Sequence, residues 1–237
     1  MKRLFLTVCA VLAQCTASHA TPFDIDYSRI HIYVTPFYNW DGPVVSVGRF
    51  SAGLASENED EFLATIATMK EEWLTLSFAQ LYVAAIRLYD RGFRKESVYW
   101  FYTAQYRGRQ FGTLLDEAKM GSIGSDGFEL LHAQNAFFQL SGPWINGYAF
   151  GDLDELVKVV ERVQREARQI PDMESLYPGV TFKEKRVWIA ENDALADRMS
   201  DLVTMLKDQK EEIRRQRIES GMDKTFSELT NKELKSH

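Results

Sequence analysis

The chain has 237 residues, of which 45% are hydrophobic and 26% charged, and it carries a formal net charge of −6. This length can bury a core as one domain, or as a domain with appendages. The acidic balance argues against nucleic acid and anionic membrane as general partners, because both attract proteins through clustered positive charge. A basic protein partner would instead be steered toward the chain.

The N-terminal segment has the three parts of a secretory signal peptide. Lys2 and Arg3 precede an apolar run over residues 4–13, and Ser18-His19-Ala20 supplies small residues at the cleavage positions. The run is too short for an ordinary membrane-spanning helix. We therefore assign residues 1–20 to a signal peptide cleaved after Ala20. We expect a periplasmic or secreted protein, with a bacterial periplasm as its address.

Cleavage would change the chemistry of the mature chain. Cys9 and Cys15 both lie in the removed segment, so the mature protein could form no disulfide. The 28 basic residues would become 26 against 34 acidic ones, a formal charge of −8. Because no later long apolar run occurs, we expect no integral membrane segment after cleavage. The alternative is a lipoprotein anchored at Cys15, since residues 12–15 resemble a lipoprotein box with Gln14 at a small-residue position.

Residues 21–55 have a β-like texture. Ile30, Ile32 and Val34 alternate with polar and aromatic residues, and a turn sequence over residues 39–43 leads into a valine-rich stretch. Two strands alone are marginally stable without a surface to pack on. The pattern therefore indicates either a β-hairpin or an extended arm that lies over helices.

Residues 56–206 carry successive helical patterns and are predicted to form one helical domain. Residues 207–237 begin with an almost wholly charged stretch. They are predicted to form a helix extension that ends in a frayed tail. The first predicted helix has an acidic start at residues 57–61 and an apolar stripe that extends to Met69. The next helices are predicted over residues 74–91, over residues 95–111, from Phe128 to near Gly142-Pro143, and from Asp152 toward Pro171. A long final helix is predicted from about Lys183 to Ser220. A loop is predicted over residues 112–127.

Two of these helical patterns meet at Gly92 within residues 81–108. Gly92 can adopt the left-handed conformation that ends a helix. In the second helix Ser97, Phe101, Ala104 and Gly108 alternate small and large side chains every three or four residues, which lets two helices pack closely. The pattern predicts an antiparallel helical hairpin.

At these residues the chain resembles the tetratricopeptide superfamily, and more closely its Sel-like branch. The match consists of Ser97, Trp100-Phe101, Ala104 and Gly108, with Ser in place of Ala and Phe in place of Tyr. It covers one copy, whereas a solenoid normally needs about three repeats. The fold class is therefore mainly α, with antiparallel helical hairpins in a repeat-like or bundle array, a short β-like N-terminal segment and a long C-terminal helix.

Residues that could carry catalysis are few. The mature chain would retain His31, His132 and His237, without a cysteine, a zinc-binding motif or a nucleophile elbow. The glycines over residues 121–127 lack the Lys-Ser/Thr pair of a phosphate-binding loop, and the carboxylates of residues 57–61 suit a helix start. We predict a protein that is not an enzyme and has no catalytic residue, no metal and no cofactor.

The hairpin carries the residue types that dominate binding hot spots. The alternative is an ordinary helix buried on two sides with a solvated basic rim. The predicted binding residues are Tyr89, Arg91, Arg94, Tyr99, Tyr102, Tyr106 and Arg107.

These observations predict a non-catalytic exported protein that binds another protein. The Sel-like resemblance implies an interaction module, and a specific form would be an immunity protein that neutralises a secreted effector toxin in the periplasm, such as one delivered by type VI secretion. One alternative is an envelope assembly or scaffold factor. Another is a cell-envelope hydrolase that uses carboxylates such as Glu57 and Glu61.

Overall fold

The computed structural model describes residues 25–166 and 168–234. In this part of the chain, one two-stranded antiparallel sheet accompanies ten α-helices, so the mainly α fold is confirmed. The strands are β1 (Tyr38–Asn39) and β2 (Gly42–Pro43). The helices are α1 (Ser51–Ala55), α2 (Glu59–Glu71), α3 (Phe78–Asp90), α4 (Arg94–Leu114), α5 (Asp126–Ala149), α6 (Leu153–Glu166), α7 (Met173–Leu176), α8 (Lys185–Asp208), α9 (Lys210–Glu219) and α10 (Met222–Ser227).

The predicted signal peptide, residues 1–20, lies outside the described residues, as do Cys9 and Cys15. No helix in the described ranges combines the length and apolar character needed to cross a membrane.

Helices α3 and α4 form the hairpin that residues 81–108 predict. A capping box begins α3, because Ser77 and Gln80 exchange side chain–backbone hydrogen bonds of 3.3 and 2.8 Å. At the other end Gly92 has φ +88°, and its N–H and that of Phe93 donate to carbonyls of the last turn of α3. This arrangement is a Schellman motif, which only a residue tolerant of positive φ accommodates without strain.

Helix α4 is the centre of a helical bundle. It packs against α3, α5, α6 and α8, so nearly its whole surface is covered. The Ser97 hydroxyl donates to the Ala85 carbonyl at 2.7 Å, which holds α4 close to α3. Trp100 and Phe101 are both buried. The structure therefore agrees with a helix buried on more than one side rather than with an exposed aromatic stripe.

The N-terminal segment is an extended arm that ends in a short hairpin. Ile30, Ile32 and Val34 are buried while His31 and Tyr33 are exposed, which reproduces the predicted alternation without a ladder of strand hydrogen bonds. The arm follows the helices instead of pairing with another strand. The valine-rich stretch after the turn, which a β-hairpin would place in a strand, forms the 3₁₀-helix Val45–Phe50.

Helix α5 continues past the boundary predicted near Gly142-Pro143. Pro143 lies inside the helix and is exposed, while Ile145 and Ala149 farther along are buried. Proline removes one helical hydrogen bond, but burial of the following apolar positions stabilises the continued helix.

The C-terminal region differs from the single helix predicted over Lys183–Ser220. Gln209, with φ −102° and ψ 14°, separates α8 from α9. Ile213 and Arg217 in α9 are buried, whereas a helix that extended from the core into solvent would expose them. Gly221 is in the left-handed conformation and starts α10, whose Phe226 contacts the Gly147 surface of α5.

Candidate functional site

The structure buries five of the seven residues predicted to bind a partner. Only Arg91 and Tyr99 are partly exposed. The buried residues are Tyr89, Arg94, Tyr102, Tyr106 and Arg107, each 6% exposed or less. These five side chains have structural partners within the chain, and a partner molecule could directly contact only the other two.

Tyr89 and Arg94 bind both ends of the described chain. The Tyr89 hydroxyl donates to the Tyr27 carbonyl at 2.9 Å, and burial raises the pKa of this tyrosine. The Arg94 guanidinium donates to the Ser28 carbonyl in the arm, at 3.3 Å, and to the Thr230 carbonyl near the C-terminus. These residues therefore attach the chain's own segments to the α3–α4 turn.

The C-terminal segment also caps α4. Helix α4 has no side-chain cap of its own, and the Asn231 Oδ1 accepts the backbone N–H of Lys95 at 2.9 Å. Lys232 donates its backbone N–H to Gly92 at 2.8 Å and pairs its ammonium with Glu59 at 2.6 Å. The described residues of the tail, predicted to fray, are thus held by specific contacts.

Arg91 joins α3 to the start of α2. Its guanidinium donates to the carbonyls of Ser56 and Glu57, both at 2.9 Å, and lies 5.1 Å from the centre of the Phe62 ring. The contacts satisfy carbonyl groups in the loop before α2. Arg91 is therefore a bracing residue, although part of its surface reaches solvent.

The other buried residues of the predicted binding set make polar contacts inside the bundle. Tyr102 donates to Asn146 at 3.1 Å, and Tyr106 donates to Asn192 at 3.2 Å. Arg107 donates to the Leu76 carbonyl, and its guanidinium lies 5.5 Å from the centre of the Trp73 ring. Each contact satisfies a polar group that the fold removes from water.

Tyr99 belongs to a cleft of about 300 Å³ at the edge of α4. We call it the Tyr99 cleft. Its lining comes from α2 and the following turn, from α3 and α4, and from α6. The lining residues are Lys70, Trp73, Leu81, Tyr99, Trp100, Thr103, Arg162 and Glu166.

One wall of the Tyr99 cleft is a stacked and hydrogen-bonded triad. The Arg162 guanidinium lies 3.9 Å from the centre of the Tyr99 ring and donates to Glu166 at 2.9 Å. The Tyr99 hydroxyl donates to the other Glu166 oxygen at 2.5 Å. Burial tends to raise the pKa of Glu166, but the hydrogen bonds from Tyr99 and Arg162 outweigh it and hold the pKa below its ordinary value.

Two other lining residues, Lys70 and Trp100, are joined through Glu96. Its carboxylate accepts from the Lys70 ammonium at 2.7 Å and from the Trp100 indole at 3.1 Å. Lys70 keeps 42% of its side chain exposed, and Arg162 keeps 40%. The cleft therefore presents cations, carboxylates and aromatic rings that contacts within the chain hold in place.

Sequence reasoning found Tyr99 but missed Trp73, Arg162 and Glu166. The spacing of Arg162 and Glu166, four residues apart in a helix, is a visible ion-pair signal. Nothing in the sequence connects that pair with Tyr99, because the contact spans 67 residues and depends on how α6 packs against α4.

A larger cavity, about 440 Å³, lies beside the C-terminal segment. Its lining includes Lys95, Tyr148, Leu156, Arg217 and Phe226. Arg217 is almost wholly buried and donates to Asp223 at 2.7 Å and to the Gly147 carbonyl at 2.9 Å. These bonds hold α10 in place, so this cavity is bounded by contacts that fix the chain terminus.

The candidate catalytic groups of the sequence are dispersed. His31 and His132 are exposed, with His31 near Trp40 in the arm and His132 against Phe128 in α5. Within residues 25–166 and 168–234, no group of three or more His, Cys, Asp or Glu side chains could hold a metal ion.

Comparisons with protein-family models, with curated proteins and with solved structures find no match to this chain. The Sel-like resemblance of residues 81–108 therefore stays a prediction.

Proposed function

We propose that this protein is a non-catalytic exported protein that binds another protein through the Tyr99 cleft. The observation that carries the proposal is the Tyr99–Arg162–Glu166 triad beside partly exposed Trp73. Tyrosine, tryptophan and arginine dominate the energetics of protein interfaces, and here they line one concave surface.

The triad also reduces the entropy cost of binding. Arginine and glutamate normally lose side-chain freedom when a partner immobilises them. Arg162 and Glu166 are already restrained by each other and by Tyr99. A partner that contacts this wall would lose less free energy to ordering, and the net negative charge of the chain would steer a basic partner toward it.

A specific form of the proposal is an immunity protein that neutralises a secreted effector toxin in the periplasm. It is supported by the export signal predicted for residues 1–20 and by the acidic charge. An envelope assembly or scaffold factor would use the same cleft with a resident partner. The immunity protein and the scaffold factor differ in whether the partner is a toxin. Only an immunity protein is expected to restore the growth of cells that export the toxin.

The hydrolase alternative places its chemistry at residues 57–61. There Glu57 lies 3.5 Å from Arg91, Glu59 lies 2.6 Å from Lys232, and Asn58 caps the first turn of α2. Glu57 and Glu59 are thus surface ion-pair members at the start of a helix, which supports the binding proposal over this alternative.

Site-specific photocrosslinking in the native envelope tests the proposal. In one variant a photoreactive residue replaces Lys70 at the cleft. In a second variant of the same chain it replaces Lys158, an exposed position on α6 that does not line the cleft. We expect a discrete protein adduct from position 70 that Arg162→Glu abolishes, and no such adduct from position 158. Equal adducts from both positions, or an adduct unaffected by Arg162→Glu, would contradict the proposal.

Identification of the adduct by mass spectrometry then separates the two forms. Co-expression of the chain with an identified toxin should restore growth if the protein is an immunity protein, and the Arg162→Glu variant should fail to do so. A resident envelope component in the adduct would support the scaffold form instead.

A further inference from the structure

Arg109 in α4 is a cation without a counter-charge. It is partly buried, and no ion pair or hydrogen bond from the described residues reaches its guanidinium. Burial is the main influence on Arg109 and lowers its pKa, and the ionisable groups that act on it are Tyr82, Tyr102 and Arg198. None of these groups is a carboxylate. Arginine nevertheless stays protonated in proteins, so the uncompensated charge persists.

Gln105 lies one helical turn before Arg109 on the same face of α4. It is 7% exposed, and its Nε2 is buried without a hydrogen-bond partner among the described residues. A buried donor left unpaired destabilises the fold, because the fold removes it from water without supplying an acceptor. Within the described chain, Gln105 thus adds one buried, unpaired donor a helical turn away from the unpaired Arg109 cation.

The neighbouring elements add donors and a second cation. The buried Tyr82 side chain of α3 lies near Gln134 of α5 and acts on Arg109. From α8, Arg198 adds positive charge, and its only hydrogen bond within the described chain is a 3.3 Å contact with the Ala194 carbonyl of its own helix. In a chain with a net charge of −6, this place combines two arginines with no carboxylate partner.

We propose that Gln105, Arg109 and Arg198 form a binding site for an oxyanion, the carboxylate or phosphate group of a ligand. Guanidinium groups bind such anions through two parallel hydrogen bonds, and the Gln105 amide supplies a further donor. The partial exposure of Arg109 gives the ligand access. The site lies on a different face of α4 from Tyr99 and Thr103, so it does not depend on the Tyr99 cleft.

Titration of inorganic phosphate into the full protein by calorimetry, at constant ionic strength, tests the site. We expect saturable binding that Arg109→Gln weakens at least about tenfold and Gln105→Leu weakens about threefold or more. Arg165→Gln removes the same charge from an exposed position on α6 and is expected to change the affinity by less than about twofold. Acetate, which carries a carboxylate alone, is expected to compete with phosphate.

Circular dichroism shows whether Arg109→Gln folds. If it does not, a second pair of variants tests the site. Arg109→Lys keeps the charge but loses the two-bond geometry, so affinity should fall. Arg198→Gln changes an exposed residue and should also weaken binding. Wild-type protein that does not bind phosphate would overturn the proposal. So would folded Arg109→Lys and Gln105→Leu variants that bind phosphate as wild-type does.

Discussion

The Asp90 carboxylate accepts the backbone N–H of Ile30 at 2.7 Å, which attaches the N-terminal arm to the end of α3. The other carboxylate oxygen lies 3.4 Å from the Tyr38 hydroxyl and 3.8 Å from Arg87. Burial nevertheless dominates and raises the pKa of Asp90 from 3.8 to about 6, against the opposing effects of Ile30, Arg87, Arg29 and Tyr38. The arm is therefore held by a carboxylate that titrates near neutral pH.

This titration predicts a pH-dependent stability that Asp90→Asn removes. Between about pH 4 and 6 the folded protein binds a proton at Asp90 that the unfolded chain does not, so this group stabilises the fold as pH falls and loses that contribution as pH rises through about 6. The difference in unfolding free energy between wild type and Asp90→Asn should shift in favour of wild type by up to about 3 kcal/mol from pH 7 to 4.

Urea denaturation of both proteins at several pH values measures that difference. Other carboxylates titrate in the same range, but they are common to both proteins and cancel in the comparison. A difference that moves in favour of Asp90→Asn as pH falls would show that the ionised carboxylate is the form that holds the arm.

Gly108, a residue of the Sel-like pattern, is predicted to be intolerant of even a methyl group. A Cβ at this position would lie 2.4 Å from Cγ of Gln134, so Gly108→Ala forces α4 and α5 apart. We expect a loss of about 1–3 kcal/mol in unfolding free energy. Gly142→Ala in α5 is the control, because its Cβ would lie 3.4 Å from the nearest group; it should be neutral or stabilising by up to about 1 kcal/mol.

A double variant identifies the cause. Gln134→Ala removes the side chain that the new methyl group meets, so it should restore part of the stability lost in Gly108→Ala. Chemical denaturation of the four proteins gives the coupling energy. Additive losses would mean that Gly108→Ala acts through something other than this contact.

Asn231→Ala is expected to release the C-terminal segment from α4. The variant removes the acceptor for the Lys95 N–H, and loss of a helix N-cap costs about 1 kcal/mol. Hydrogen exchange should accelerate selectively at the Lys95 amide. A general loss of stability would instead accelerate exchange at many amides. Asn135→Ala, at an exposed position in α5, should leave this amide unchanged; equal protection in both variants would argue against the cap.

The sequence could predict the α3–α4 hairpin because its determinants are local. The positive φ of Gly92 and the small contact residues Ala85 and Ser97 are all encoded within a few turns of each other. The binding residues were harder to assign, because burial depends on distant segments. Arg94 contacts carbonyls 66 residues earlier and 136 residues later in the chain, and a tyrosine- and arginine-rich pattern is the same whether its partner is another protein or the chain itself.

Tyr99→Phe provides a direct measure of how the cleft is organised. Removal of the hydroxyl takes away one of the two hydrogen bonds that hold the pKa of Glu166 below its ordinary value, so this pKa should rise. Carbon-13 NMR titration of the glutamate side chains follows it, with Tyr33→Phe, an exposed residue of the arm, as the control. Without the Tyr99 hydroxyl, the Glu166 carboxylate and its partner Arg162 would be less restrained. The yield of the crosslinked adduct at position 70 should therefore also fall. An unchanged Glu166 titration would mean that Tyr99 does not position this carboxylate in solution.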